Sequence, residues 1–239
     1  MLVYLFAGIL GSILASFILA TSPSSWSALW RRSQCSWCYR TLKWRDLVPI
    51  FSYLNLRGRC RYCGGSIPVL LFLGELLGFF LTIGLGLLFK DPLLGVCLSV
   101  IVVTLVAISR DDLKSHEISL HHLAVLLVLR LLLMGQFPLG DGVQGGLIVG
   151  SILGLLYLVT KGIGDGDIYL GAILGSFFSP WDSILHFLCP SWIFGGLVGA
   201  YLLLIKKQSK HDEIAFAPFL CIGFLIGLCN ALGGLGWNG

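Results

Sequence analysis

Charge is what this 239-residue chain has least of: 12% of its residues are Asp, Glu, Lys or Arg, against about 25% in an ordinary soluble domain. That shortage excludes a cytosolic globule, and the high apolar content excludes a disordered tail. Eight cysteines in a chain of this length are too few for a secreted disulfide scaffold. No basic residue precedes the first apolar run, which is also too long for the apolar core of a signal peptide, so it reads as a retained helix. The G-x-G-x-x-G nucleotide fingerprint is absent, and no Lys-Ser/Thr follows the glycine-rich stretch at 162–167 as a phosphate loop requires. What remains is 56% hydrophobic, with 31 glycines and a mean hydropathy of +0.91. Such a chain is an all-α polytopic membrane protein.

Long apolar runs predict eight helices, roughly over 2–20, 69–89, 93–109, 119–136, 143–160, 168–179, 188–205 and 214–235. Eight of the sixteen Lys and Arg lie in 21–68 (Arg31, Arg32, Arg40, Lys43, Arg45, Arg57, Arg59, Arg61). Alternate connections add Arg110 and Lys114, then Lys161, then Lys206, Lys207 and Lys210, while the opposite connections carry only Lys90. Arg130 falls inside the fourth span, where it is expected to snorkel to the far interface. The positive-inside rule therefore predicts a cytoplasmic 21–68 loop and both termini outside. The same rule accounts for the basic residues without nucleic-acid binding. The division expected is a first helix at 1–20, a loop module at 21–68 and a membrane core at 69–239.

The loop holds Cys35-Ser-Trp-Cys38 and Cys60-Arg-Tyr-Cys63, a C-x2-C-x21-C-x2-C pattern. Two such knuckles offer four thiolates to one tetrahedral ion, and in a reducing compartment that reads as Zn2+. Gly58, Gly64 and Gly65 permit the turns. Four sulfurs leave no open position for a catalytic water, so the zinc is structural. Cys97, Cys189, Cys221 and Cys229 lie in apolar runs and read as small packing residues.

Five of the twelve acidic residues fall in two connections: Asp111, Asp112 and Glu117 after the third span, Asp165 and Asp167 before the sixth. Two crossings separate these connections, so both lie at one membrane face. Paired carboxylates there suit a divalent cation, a proton relay or a proton-sharing protease dyad, and solvated loop charge would explain them equally. Gly162, Gly164 and Gly166 alternate beside Asp165 and Asp167, allowing close approach of another backbone. Glu75 interrupts the second span, an expensive position that predicts an inward-facing structural or tuning role. His121 and His122 have no positioned nucleophile beside them in the sequence. Gly146, Gly150 and Gly154, like Gly223 and Gly227, have the spacing of close helix packing.

In combination these residues resemble the type IV prepilin peptidases, membrane aspartyl proteases of the GxGD type. The chain looks most similar to their shorter, competence-associated branch. Gly11-Ser12 through Ser16-Phe17 approaches the family's opening motif, although Leu19 and Ser24 stand where the family has Asn and Arg. The Cys module, the Asp46-Leu47-Val48-Pro49 stretch and Glu75 follow in family order. Asp112 lies six residues before Ile118, as the first family aspartate lies before an Ile-Pro pair, with Ser119 here replacing the Pro. Gly162, Gly164, Gly166 and Asp167 match the second motif, with Tyr169 replacing its Lys. Phe216-Ala217-Pro218 resembles the F-G-P of the last helix.

The resemblance implies an endopeptidase of the bacterial cytoplasmic membrane that removes the short basic leader of pilin-like precursors at the cytoplasmic face. Asp112 and Asp167 would be its catalytic pair. Asp165 is the competing candidate in the second motif, Asp111 would be out of register, and Gly164 and Gly166 would support the site. Many members also methylate the new N-terminus with S-adenosylmethionine, an activity the departures at Leu19 and Ser24 leave open here. The alternative is a non-enzymatic scaffold or ion-coupled transporter with a structural zinc loop. Oligomeric state is not legible.

Overall fold

The computed structural model describes residues 1–20, 32–137, 139–160, 163–178, 182–204 and 215–234. Ser24, Arg31, Lys161, Gly162, Lys206, Lys207 and Lys210 lie outside the described residues. The helices are α1 (Leu2–Ala20), α2 (Phe51–Asn55), α3 (Val69–Leu88), α4 (Pro92–Ser115), α5 (Leu120–Leu132), α6 (Leu139–Thr160), α7 (Asp165–Gly175), α8 (Asp182–Leu204) and α9 (Ala217–Gly234). A single 3-10 turn covers Trp44–Asp46. No strand occurs among the described residues, only the isolated bridges Gln34–Thr41 and Arg59–Ser66.

Every apolar run expected to be helical is helical. Five helices are long and apolar enough to cross a bilayer, namely α1, α3, α4, α6 and α8, and α5 and α9 are shorter apolar helices. The chain is a multi-pass membrane protein. α8 begins six residues early, at Asp182 instead of 188, and α4 departs as far at its other end, running through Arg110, Asp111 and Asp112 to Ser115 instead of ending near 109. Its last turn stops at His116, which takes a φ of 53°. At the other end of the range, α7 begins at Asp165 rather than 168. Asp111, Asp112, Asp165 and Asp167 therefore sit on helix termini, while Glu117 lies in the connection between α4 and α5.

The chain forms two compact units, Met1–Ala107 and Ile108–Gly239. In the first, α1 and α3 meet backbone to backbone: a Cβ on Gly78 would lie 2.7 Å from both the Gly11 carbonyl and the Ala15 methyl. Without a hydrophobic driving force between spans, such small-residue contact is what holds helices together in lipid. Thr82 and Ser99 then join α3 to α4 by a buried 2.6 Å hydrogen bond.

In the second unit a Cβ on Gly145 of α6 would lie 2.5 Å from the carbonyls of Gly175 and Phe178. Gly146 and Gly150 face Ala172, and Gly223 and Gly227 face Ser191 and the Phe178 ring, as helix-packing glycines should. Gly154 does not: a Cβ there would meet open space. The cysteines divide similarly, with Cys97 and Cys221 buried but Cys189 and Cys229 exposed on their helices. Arg130 does not snorkel. It is buried, and its Nε and Nη1 donate to the carbonyls of Ser176 (2.7 Å) and Phe137 (2.9 Å). A cation there satisfies carbonyls just past the C-terminal ends of α7 and α5, where the helix dipoles favour positive charge.

Candidate active site

In the second unit, Asp112 and Asp167 come from the end of α4 and the start of α7, and both are 5% exposed. Each is held by a backbone N–H that a helix start leaves over. The N–H of Ala217, first residue of α9, donates to Asp112 Oδ2 at 3.1 Å. The N–H of Gly164 donates to Asp167 Oδ2 at 3.2 Å, the N3 carboxylate of α7 reaching back to the residue before the helix. Asp167 Oδ1 is buried and receives no hydrogen bond. Burial is the main cause that pushes the Asp167 carboxyl up to about 7, and the neighbouring charge of Asp112 adds to it. Like charges in one buried site favour a shared proton.

Asp165 differs from Asp167 in kind. It is exposed, and its Oδ1 accepts the local N–H of Gly166 at 2.9 Å. Gly166 lets Ile118 approach, since a Cβ there would lie 3.0 Å from the Ile118 Cβ. Glu117 is exposed as well, so of the five acidic residues in these stretches only Glu117 and Asp165 face outward.

Asp111 is buried beside Asp112 in sequence but serves a separate cluster. Its Oδ1 accepts Arg110 Nε (2.9 Å) and Nη2 (2.7 Å), and its Oδ2 lies 3.8 Å from His122 Nδ1. The His122 ring lies 4.2 Å from that of His121, which in turn bonds Ser119. The sequence showed no nucleophile positioned near these histidines, yet Ser119 is one. It is buried, 3% exposed. The Ser119 and Ala217 contacts were invisible in sequence because each joins a residue to a partner that only the turn or the tertiary fold supplies.

The first unit carries the other site. The Sγ atoms of Cys35, Cys38, Cys60 and Cys63 all lie within 4.8 Å of one another, so the cluster can hold a metal ion. Both knuckles repeat one hydrogen-bond pattern: Tyr39 N–H to Cys35 carbonyl, and Gly64 N–H to Cys60 carbonyl, each 2.9 Å. The residue closing each turn has positive φ, 56° at Tyr39 and 71° at Gly64. The N–H groups of Cys38 and Trp37 aimed at Cys35 lower its thiol to about 6, while at Cys63, against the Gly65 N–H, desolvation and the neighbouring thiols push the thiol up to about 11. Glu75 is buried, accepting Ser16 Oγ at 2.6 Å and the N–H of Ile50 at 2.7 Å. It ties the loop module to α1 and α3.

Fold and site together define a polytopic helical membrane protein with a tetracysteine module in one unit and a buried carboxylate pair in the other. The Bacterial Peptidase A24 N-terminal domain matches residues 5–89, and the Type IV leader peptidase family matches residues 99–200. The chain is 30% identical to a prepilin leader peptidase/N-methyltransferase of Bacillus subtilis, over 91% of this chain and 90% of that protein. Proteins of the same name from Aeromonas salmonicida and Myxococcus xanthus are 31% and 32% identical, over 82% and 89% of this chain but 70% and 68% of their own lengths. No solved structure matches. The chain belongs to the type IV leader peptidase family.

Proposed function

We propose that this protein is an aspartyl endopeptidase that cuts the leader from type IV prepilin-like precursors, with Asp112 and Asp167 as its catalytic pair. The observation that carries this is two carboxylates buried together from different helices, each held through one oxygen by a backbone N–H, with Asp167 Oδ1 left unbonded. One ionised carboxylate takes a proton from water as the water oxygen attacks the scissile carbonyl. The protonated partner donates a hydrogen bond to that carbonyl oxygen. The tetrahedral intermediate collapses with cleavage of the C–N bond, and the proton taken from water passes to the departing amine. No covalent enzyme intermediate is needed.

The charge count supports orienting the module and both carboxylates toward the cytoplasm, with the termini outside. It is also consistent with a module at 21–68 distinct from a peptidase core. Zinc suits the module: four sulfurs around Zn2+ at about 2.3 Å lie about 3.8 Å apart, and Cys35 and Cys63 are separated by 3.8 Å. Bound zinc would be held by Cys35, Cys38, Cys60 and Cys63 and would supply folding energy to a loop in which, among the described residues, only Asp46 and Cys60 are buried.

N-methylation of the new terminus is a second reading, favoured by the relatives' names and by one cavity. In the first unit an open cleft of about 540 Å³ lies between α1, α3 and the module, lined by Ser16, Phe17, Tyr53, Phe72 and Glu75 among others. Aromatic walls beside a carboxylate fit the adenine and the cationic sulfonium of S-adenosylmethionine. That group would supply the methyl cation equivalent for the amine.

Cleavage of a pilin-like precursor by the purified protein in lipid tests the main reading. Asp112→Asn and Asp167→Asn are expected to abolish it and Asp165→Asn to retain it. Loss only with Asp165→Asn moves the second catalyst by two residues. Full activity in Asp112→Asn and Asp167→Asn overturns the dyad. Calorimetric binding of S-adenosylmethionine, weakened by Glu75→Gln, tests the second reading separately from cleavage.

A further inference from the structure

The outer side of the tetracysteine module carries an apolar stripe that neither the carboxylate pair nor the cavity uses. Trp44 and Phe51 are 72% and 73% exposed, and Val48 and Leu54 are exposed beside them. None of the four lines the cavity. They recur at three- and four-residue intervals from the 3-10 turn, through the bend at 47–50, into α2. With Leu47, which also borders the cavity, five exposed large apolar groups fall in eleven residues, which are not scattered surface leucines and mark an interaction site.

How far along the spans this segment reaches in depth follows from its anchors. Ile50 donates its N–H to Glu75, which lies six residues into α3, about 9 Å along the helix at 1.5 Å per residue. Glu75 also accepts from Ser16, four residues before the end of α1 and so about 6 Å inside it. The Tyr53 ring stacks on Phe72 of α3 with centroids 4.4 Å apart. A loop that merely rested on top of the spans would reach none of these positions.

The backbone is built for that depth. Ile50 has φ 64° and ψ −55°, a tight turn closed by the Phe51 N–H on the Pro49 carbonyl at 2.6 Å. A β-branched residue rarely takes such a φ. Here it aims the Ile50 N–H at Glu75. The following donors close locally, Ser52 on Val48, Leu54 on Ile50 and Leu56 on Ser52, as backbone near an apolar medium should. Charge flanks the stripe with the matching sign. The Arg45 guanidinium lies 5.3 Å from the Trp44 ring, Lys43 and Arg57 are exposed, and the only acid in the module, Asp46, is paired with Arg61 at 2.9 Å. Trp is a residue of the headgroup level, and basic flanks suit anionic lipid.

We infer that residues 44–55 form an interfacial element, dipping along α1 and α3 with Trp44, Val48, Phe51 and Leu54 inserted in an anionic lipid interface. Its depth of about 6–9 Å falls in the range of amphipathic segments that lie in a membrane surface. Glu75 sits within an apolar span because it must meet the N–H of Ile50 there. The module is thus attached to the bilayer by its own surface as well as by the flanking spans.

The test uses the full zinc-loaded chain in nanodiscs of phosphatidylethanolamine and phosphatidylglycerol, with a fluorescent amino acid replacing the exposed Phe51. Quenching is compared between aqueous iodide and lipids spin-labelled near the top of the acyl chain. Lipid quenching several-fold stronger than iodide quenching is expected. Iodide dominance overturns the inference, and so does shielding from both quenchers, which would mean that a second copy or another protein covers the stripe. In a Glu75→Leu variant the label is expected to shift toward iodide. Unchanged quenching there would remove Glu75 as the anchor.

Discussion

Replacing Asp167 by Asn should cost the protein its activity and raise its stability above neutral pH. The Asp167 carboxyl titrates at about 7 in the folded chain against an ordinary value of 3.8. Between those values the folded chain holds a proton that the unfolded chain has released, so stability falls as pH rises from about 4 to about 7 and then levels off. At about 1.4 kcal/mol per tenfold change in proton activity, the full penalty is about 4 kcal/mol. Asn carries no such penalty, but its amide group would occupy the place of the unbonded Oδ1 without a partner. That subtracts about 1–3 kcal/mol. The net expectation is a gain on the order of 2 kcal/mol at pH 8, vanishing or reversing near pH 4. Thermal unfolding of both proteins in nanodiscs across pH 4–8 measures it. A difference that does not vary with pH would mean that Asp167 titrates like a surface carboxylate, which would undo the shared-proton argument.

Cleavage itself should fall as pH rises through about 7, because the dyad loses the proton it must keep; a rate still rising at pH 9 would contradict this. Cys60→Ser should reduce bound zinc from one equivalent to well below one by elemental analysis and lower the melting temperature of the module. Arg130→Met, which leaves the carbonyls of Ser176 and Phe137 without a donor, should destabilise by about 2–5 kcal/mol in a denaturation series. Gly145→Ala, whose Cβ would meet two carbonyls at 2.5 Å, should destabilise by about 1–3 kcal/mol. Gly154→Ala, facing open space, should be neutral or stabilising by up to about 1 kcal/mol. Equal effects at the two glycines would refute the packing account.

Much of this protein was legible in the residue order. Length of apolar run fixes where a helix forms in lipid, because every backbone group there must bond within its own segment. The paired C-x2-C spacing is similarly local, since each knuckle closes within six residues. The acidic pairs could be seen as chemically unusual but not sorted, because Asp165 and Asp167 differ only in which side of a helix start they face. Sequence reading put them in a connection, where that distinction has no meaning.

What the sequence alone determined was therefore the class of molecule, its helices, its metal-type ligands and the shortlist of carboxylates, all set by composition and short-range spacing. The tertiary structure decided which carboxylates share a buried site, that the N–H of Ala217 holds Asp112, that Arg130 turns inward onto helix ends, and that Glu75 receives Ile50. Each of these contacts joins residues distant in sequence or assigns a side chain to one of two possible faces. Burial is a property of the assembled helices, and no single stretch of chain carries it.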